Sequence, residues 1–371
     1  MKKVVIIGAG ILGATTAYRL AKKGVKVIII DQKDQGQATA AAAGIICPWL
    51  TQRRNKAWYY LAKEGARLYP SLIQELNEDG ETNTGYSRVG ALSLHNDRDK
   101  LMKAYNRGLK RIPDTPEMGE LTILDAKQTK ELFPLADDKY ESFHISGAAR
   151  VDGRSIRAAL LSGAKKYGAE LKLGKAEILN KKSNVTGVLL NGTVIEADSV
   201  ICTSGAWMNE TLKPLGIQFK SYPQRGQILH FNLQGVDTNQ WPVIMPPNHL
   251  SIVPFSDRIV VGATHEDDAG FEAQLTAGGM KEILDKAMDI IPGLSDWSLL
   301  ETRVGFRPFT PGSLPVFGSI PSFSHLYAAN GLGASGLTTG PYLGTQLAKL
   351  VLDEELDIDL ANYDINHALK G

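Results

Sequence analysis

Three glycines and one carboxylate carry the first chemical signal in this sequence. Gly8, Gly10 and Gly13 interrupt "KVVIIGAGILGATTAYRL", and Asp31 closes a second apolar run, "KVIII". Gly8 permits a tight turn, Gly10 lets the backbone approach a pyrophosphate, and Gly13 lets a helix lie close to a strand. Asp31, 18 residues beyond Gly13, can accept hydrogen bonds from both hydroxyls of a ribose, and its charge would repel a 2′-phosphate. The pattern indicates a dinucleotide and leaves NAD and FAD open.

A second glycine set, Gly331, Gly333 and Gly336, lies in "LYAANGLGASGLTTGP". It too leads into a helix, whose N-terminus offers unpaired N–H groups and a partial positive charge. A nicotinamide enzyme has no obvious need of a second such terminus about 320 residues from the first. A reduced flavin has one, because its N1–C2=O edge carries negative charge. Between the two ends, the small residues from Ala38 to Gly44 let the backbone pass close to a flat or phosphorylated ligand.

The elements that must position these residues follow from pattern. Consecutive β-branched residues at 4–7 predict a parallel strand buried on both faces. A helix is expected over about 11–23, with Ala14, Ala17, Leu20 and Ala21 on its apolar face and Gly24 just past its end. Residues 25–30 predict the second strand. Near the C-terminus, a strand over 326–329 precedes a helix over about 337–352. "HLSIVPFSDRIVVGATHED" reads as a hairpin turning at Ser256-Asp257, and "DRDKLMKAYNRGLKR" as a charged surface helix.

Composition narrows the function classes. The 371 residues allow two domains, and 41 basic against 40 acidic side chains, scattered along the chain, predict no nucleic-acid stripe or polybasic membrane patch. Cys47 and Cys202 cannot form a disulfide framework or a metal cluster and fit a reducing cytosol; Cys47 reads as buried and structural. The seven histidines form no metal-spaced cluster, and His249 and His265 read as surface or satisfied residues. Gly8, Gly10 and Gly13 would break a signal-peptide core. No run reaches about 18 uninterrupted apolar residues. A cytoplasmic location follows, with peripheral membrane contact left open and the oligomeric state unread.

Beyond the opening motif, the blocks "TAAAAGII", "VDGRSIRAALLSGAKKYGAEL", "ADSVICTSGAW", "YPQRGQIL", "RIVVGAT", "GFRPFTPGSLPVFG" and "ANGLGASGLTTGP" cover essentially the whole chain. In this order they resemble the FAD-dependent D-amino-acid oxidase superfamily, above all its glycine oxidase and D-amino-acid dehydrogenase branch. The resemblance implies an α/β protein in which a Rossmann-like FAD-binding domain is joined to an α+β substrate domain with a mostly antiparallel sheet. The FAD domain would be discontinuous, over 1–85, 146–216 and 305–371, and the substrate domain would take 86–145 and 217–304. It places Gly8, Gly10, Ile11, Leu12 and Gly13 at the pyrophosphate, Asp31 and Gln32 at the ribose, and Glu177 at the adenine. Ala38, Thr39, Ala43, Gly44, Ile45 and Ile46 would line the pyrophosphate and isoalloxazine, with Gly205 also at the cofactor. Leu332, Gly333, Ala334, Ser335, Gly336, Leu337 and Thr338 would face the flavin's pyrimidine edge.

By the same resemblance, Arg307 in "GFRP" holds a substrate carboxylate through two parallel hydrogen bonds and so fixes Cα–H beneath flavin N5. The implied reaction oxidises the amine of a small amino acid (D-amino acid, glycine or N-alkyl glycine) to an imine by hydride transfer to the flavin, with no catalytic side chain beyond the cofactor. Three substrate positions depart from the glycine oxidase pattern. Ala334 stands where a second basic residue is expected, Ser251 where a tyrosine is, and Asn248 where a histidine is. Leu332 replaces a histidine common in relatives. A roomier pocket follows. Met245, Tyr222 and Arg303 are further lining candidates by position, whereas Arg53 and Arg54 read as a solvated pair. Two other readings stand beside this one: an FAD-dependent 2-hydroxyacid dehydrogenase, which would need a base for the hydroxyl proton, and a non-catalytic flavin-binding subunit.

Overall fold

The computed structural model describes residues 1–233 and 235–369. Residue 234, within the expected 217–304 span, and residues 370–371, at the end of 305–371, lie outside the described residues. The β-branched opening run forms the strand Lys3–Ile7 at the centre of a six-stranded sheet. It pairs in parallel with Lys26–Asp31 on one side, Val5 opposite Ile28, and with Ser199–Cys202 on the other, Val5 opposite Val200. Glu170–Leu173 extends one edge; Leu326–Asn330 and then Val316–Ser319 extend the other. Only the outermost pair, Val316–Ser319 with Leu326–Asn330, is antiparallel.

Both faces of this sheet are covered, as a continuous apolar strand requires. Val4 and Ile6 belong to the large core beneath the helix Ile11–Lys22, while Val5 and Ile7 pack into a second core. That second core is roofed by an antiparallel meander of Ala176–Lys181, Asn184–Leu190 and Thr193–Glu196. Val4, Val5 and Ile6 are fully buried, and each such side chain contributes about 1.5–3 kcal/mol to folding. The first helix ends one residue before the expected position, with Gly24 (φ 80°) turning the chain beyond it. The C-terminal helix spans Gly336–Val351 and packs on the first one, Thr16 Oγ1 donating to the Gly344 carbonyl at 3.2 Å.

A second sheet has eight strands, antiparallel except where Val243–Met245 meets Ala91–His95. Its longest pair joins Tyr222–Asn232 to Ser298–Phe309, with Gln224 opposite Arg307 and Gly226 opposite Gly305. Leu229, Ile252 and Val261 pack under the helix Ala277–Met288, whereas Ile228, Val253 and Val260 turn into the main core. The hairpin of Ser251–Pro254 and Ile259–Gly262 turns at Ser256-Asp257, closed by the Phe255 N–H donating to the Arg258 carbonyl at 2.7 Å. The charged helix forms over Arg98–Leu109, capped by Asp97, with Leu101 and Ala104 buried. The mixed α/β architecture is therefore a Rossmann-like sheet joined to a largely antiparallel one. The expected boundary at 304/305 falls inside the strand Ser298–Phe309, which crosses to the first sheet's loops: the Phe306 N–H donates to the Gly36 carbonyl at 2.9 Å.

Candidate functional site

Two helix starts open on one cavity. Of the described helices of seven residues or more, only Ile11–Lys22 and Gly336–Val351 begin with no cap from the side chain of the residue just before them. Asn55, Asp97, Asp125, Asp152 and Thr276 cap the others. Uncapped N–H groups and the positive ends of two helix dipoles are suited to anionic ligand atoms. The cavity, about 390 Å³, is lined by Gly8, Gly10, Ile11 and Leu12 from the first start and by residues 332–338 from the second. The small-residue loop lies between them and is pinned there, Thr39 Oγ1 accepting from the Ile11 N–H at 3.0 Å.

Asp31 sits at the far end of this cavity, buried and already oriented. Its Oδ2 accepts from the Ala9 N–H at 2.8 Å, and its Oδ1 from the Lys33 N–H at 2.8 Å and Gln37 Nε2 at 2.9 Å. Arg157 joins the group, donating from Nε to the Ala9 carbonyl with Nη2 3.7 Å from the carboxylate. A carboxylate has about four acceptor sites, so one remains for a ligand. Gly8 (φ 102°) faces the Thr203 backbone too closely for any side chain, which keeps the turn open toward the ligand. These donor and acceptor sets fit the pyrophosphate and ribose of FAD at one end and the flavin's polar edge at the other.

At the opposite end Arg307 projects from the strand Ser298–Phe309 into the cavity. Its Nη1 donates to Gln224 Oε1 at 2.8 Å and to the Thr264 carbonyl at 3.0 Å; among the described residues no carboxylate pairs with it. Nε and Nη2 are left for a ligand. Burial pushes the guanidinium's pKa down to about 10, with Glu266 and Asp267 opposing the shift. Beneath Thr264, the Glu266 carboxylate accepts from Thr264 Oγ1 at 2.5 Å, from Gln227 Nε2 at 2.6 Å and from Arg225 Nε at 3.0 Å. The arginine's anchor is thus itself anchored. Ser251, Ala334, His249 and His265 complete this end.

Most of the sequence-expected residues share this cavity: Gln32, Ala38, Thr39, Ala43, Gly44, Ile45, Glu177, Gly205 and the set 332–338 line it with those already named. Gly13, Ile46 and Asn248 do not. Gly13 faces the Gly8 carbonyl, where a side chain would overlap it, so its part is helix-on-strand contact. Ile46 is 2 % exposed and belongs to the core, because alternation along the short strand turns only Ile45 outward. The Asn248 amide is spent elsewhere, donating to the Lys286 carbonyl on the helix Ala277–Met288 at 3.0 Å and accepting within its own turn from the Leu250 N–H at 3.2 Å. His249, held at φ 64°, takes the lining position instead.

Other positional candidates also fall outside the lining. Tyr222 donates to the Thr310 carbonyl, Met245 packs against the core, and Arg303 donates to the Ala40 carbonyl at 3.0 Å while pairing with Glu301. Arg53 is no free solvated charge, since it donates to the Ser313 carbonyl and lies over Trp58. Cys47 and Cys202 are buried, and burial pushes both thiols up to about 12. Sequence reasoning passed over Gly226, although a glycine inside the strand block "YPQRGQIL" was an available sign of a close approach. His249 and His265, expected as surface or satisfied residues, instead both line the cavity, because the pairing of Ser251 with Gly262 brings them to one end of the hairpin. Among the described residues, no cluster of His, Cys, Asp or Glu could hold a metal ion and no helix is long and apolar enough to cross a membrane.

The chain is 57% identical over 371 residues to an uncharacterised oxidoreductase of Bacillus subtilis, covering all of both chains. The iminodiacetate oxidase of Chelativorans sp. BNC1 is a solved structure with 46% identity and a TM-score of 0.94, covering 97% of this chain and 98% of that one. The glycine oxidase of Geobacillus kaustophilus has 26% identity and a TM-score of 0.85, over 98% of this chain and 99% of that one. The family model for FAD dependent oxidoreductases matches residues 3–350, a span that takes in both uncapped helix starts, the small-residue loop and Arg307. This protein therefore belongs to the FAD-dependent oxidoreductase family of D-amino-acid oxidase type.

Proposed function

We propose that the protein oxidises the carbon–nitrogen bond of a small amino acid, of the glycine, N-substituted glycine or D-amino-acid type, to the imine. One observation carries this reading: Arg307 is a cavity-lining guanidinium that, among the described residues, has no carboxylate partner and is anchored through one nitrogen. A bidentate carboxylate is the ligand that such a fork matches. The names of two similar structures, an iminodiacetate oxidase and a glycine oxidase, both describe amines that bear a carboxylate. The cavity residues assigned above to pyrophosphate, ribose and flavin edge belong to the same proposal, as does the division into a discontinuous FAD-binding unit and a substrate unit.

FAD, when bound, supplies the acceptor for the two electrons that leave the substrate's C–H bond. The chain supplies placement. Arg307 holds the carboxylate and thereby limits the positions open to Cα, an orientation effect that acts on rate. Ala263 and Ser251 line the cavity with small side chains, and the amine can enter neutral without a dedicated base. The imine then hydrolyses in water to the 2-oxo acid and the freed amine.

Anaerobic mixing of the yellow holoprotein with glycine, sarcosine, D- and L-amino acids and 2-hydroxyacids tests the reading. Bleaching near 450 nm by an amine supports it. Bleaching by lactate with no response to any amine would replace it with a 2-hydroxyacid dehydrogenase, and bound flavin that no donor reduces would leave a non-catalytic subunit.

A further inference from the structure

The part of the cavity near Arg307 holds two imidazole rings whose bonding is unspent. His249 precedes the strand Ser251–Pro254 and His265 follows the strand Ile259–Gly262; the pairing of Ser251 with Gly262 brings both to one end of the hairpin. Both line the cavity, and neither ring makes a hydrogen bond to any described residue. His265 is near enough to Arg307 for the guanidinium's charge to add to burial in lowering its pKa.

The carboxylates within reach are committed elsewhere. Asp267 accepts from Gln224 Nε2 at 2.8 Å, and Glu282 pairs with Lys286 at 2.7 Å. The four acids that do line the cavity lie on other segments: Asp31 and Asp34 at and after the end of the strand Lys26–Asp31, Glu177 on the strand Ala176–Lys181 and Glu210 on the helix Met208–Leu212. The segments that carry Arg307, His249 and His265 contribute N–H donors and no acid to the lining. Ala263, Ala334 and Ser251 add only small side chains to this part of the lining.

We propose that His249 and His265 form a second anion-holding subsite beside Arg307, and that the favoured substrate is an amino acid carrying a second carboxylate close to its amine. Arg307 takes the carboxylate on the reacting carbon, and the two imidazoles take the other by donated hydrogen bonds. This rests on the amine-oxidising reading above. The second carboxylate can sit on the nitrogen substituent or on the side chain. N-(carboxymethyl)glycine and D-aspartate represent these two placements, with sarcosine and D-alanine as their monocarboxylate counterparts.

Two measurements on the holoprotein test it. In steady-state turnover, one dicarboxylate is expected to exceed its monocarboxylate counterpart in kcat/KM by roughly tenfold or more, as one charge-assisted hydrogen bond allows. His265→Leu and His249→Leu are expected to shrink that ratio, the dicarboxylate losing more than the monocarboxylate. Which dicarboxylate responds identifies the placement. Equal kcat/KM for both members of each pair, or a ratio that neither variant changes, overturns the proposal.

The second measurement needs no turnover: titration of the flavin absorbance with thiodiacetate and with (methylthio)acetate, which carry sulfur in place of the amine. Tighter binding of thiodiacetate, weakened in the same variants, supports the subsite even if no amine is oxidised, in which case only the amine-oxidising reading fails. Equal affinities for the two thioethers count against the subsite whatever the turnover result.

Discussion

The Arg307 guanidinium lies against Gly226, the glycine two residues along the neighbouring strand from its partner Gln224. A methyl group on that glycine would stand 2.7 Å from Nη2 and 2.8 Å from Cζ. The absence of a side chain at residue 226 is what gives the arginine its place.

Gly226→Ala is accordingly expected to displace the guanidinium and raise KM for the amino-acid substrate by about tenfold, with flavin content retained. The ratio of absorbance at 450 nm to that at 280 nm reports flavin, and initial rates report KM. An unaltered KM would show that Arg307 does not hold the substrate in the pose argued here.

Glu266→Gln removes the charge that faces Arg225, whose Nη2 lies 2.5 Å from the carboxylate, and disturbs the Thr264 contact that supports Arg307. Breaking a largely buried pair by neutralising one member costs about 2 kcal/mol or more. A lowered urea midpoint together with a raised KM is the expected outcome. A lowered midpoint with normal KM would confine Glu266 to holding the sheet together.

Gly13→Ala is expected to abolish tight FAD binding, because the added methyl would overlap the Gly8 carbonyl oxygen and force the helix Ile11–Lys22 off its strand. Isothermal titration of apoprotein with FAD measures this. Wild-type affinity in the variant would show that the helix start does not need its observed closeness to the turn.

Acid sensitivity should come first from His230. This ring is 1 % exposed; Nδ1 accepts from Arg258 Nε at 3.1 Å, and Nε2 has no partner among the described residues. Burial, with Arg303 and Arg258 nearby, pushes its pKa from 6.5 down to about 3. The folded protein therefore binds fewer protons than the unfolded chain between those values. Stability is complete above about 6.5 and is lost as pH falls toward about 3. Glu301 adds a lower window. Burial raises its pKa, but bonds from Arg303 and Arg154 win and hold it at about 2, so its contribution falls away below about 4.5. Melting temperatures between pH 4 and 8 should decline below about 6.5, and more shallowly in His230→Phe. Identical slopes would remove His230 as the cause.

Much of the cavity wall around the first glycine turn, proposed for the cofactor, was legible because its signals are local. Val4 to Ile7, the three glycines and Asp31 are read within about 30 consecutive residues, and each needs only its neighbours to be interpreted. The substrate half depends on pairings between distant strands. Arg307 stood out as a residue type in a motif, but its bed on Gly226 and its tie to Gln224 arise from a register that joins segments some 80 residues apart. The misplacement of Asn248 has the same origin. One residue of register separates it from His249, and only the turn that spends the Asn248 amide on Lys286 decides which side chain faces the cavity. Arg303, similarly, was read as a pocket residue, yet the loop carbonyl of Ala40 claims it.

The packing of the first helix against the last one has a consequence for how the protein is made. Leu12, Thr15 and Thr16 meet Gly344, so the first-made helix keeps one side bare until residues 336–351 leave the ribosome. At about 5–20 residues per second that interval is on the order of tens of seconds. The cavity wall formed by residues 332–338 is complete only after that interval. A chain that stops before the strand Leu326–Asn330 would carry the complete first glycine motif and still present an unroofed apolar flank to chaperones and proteases.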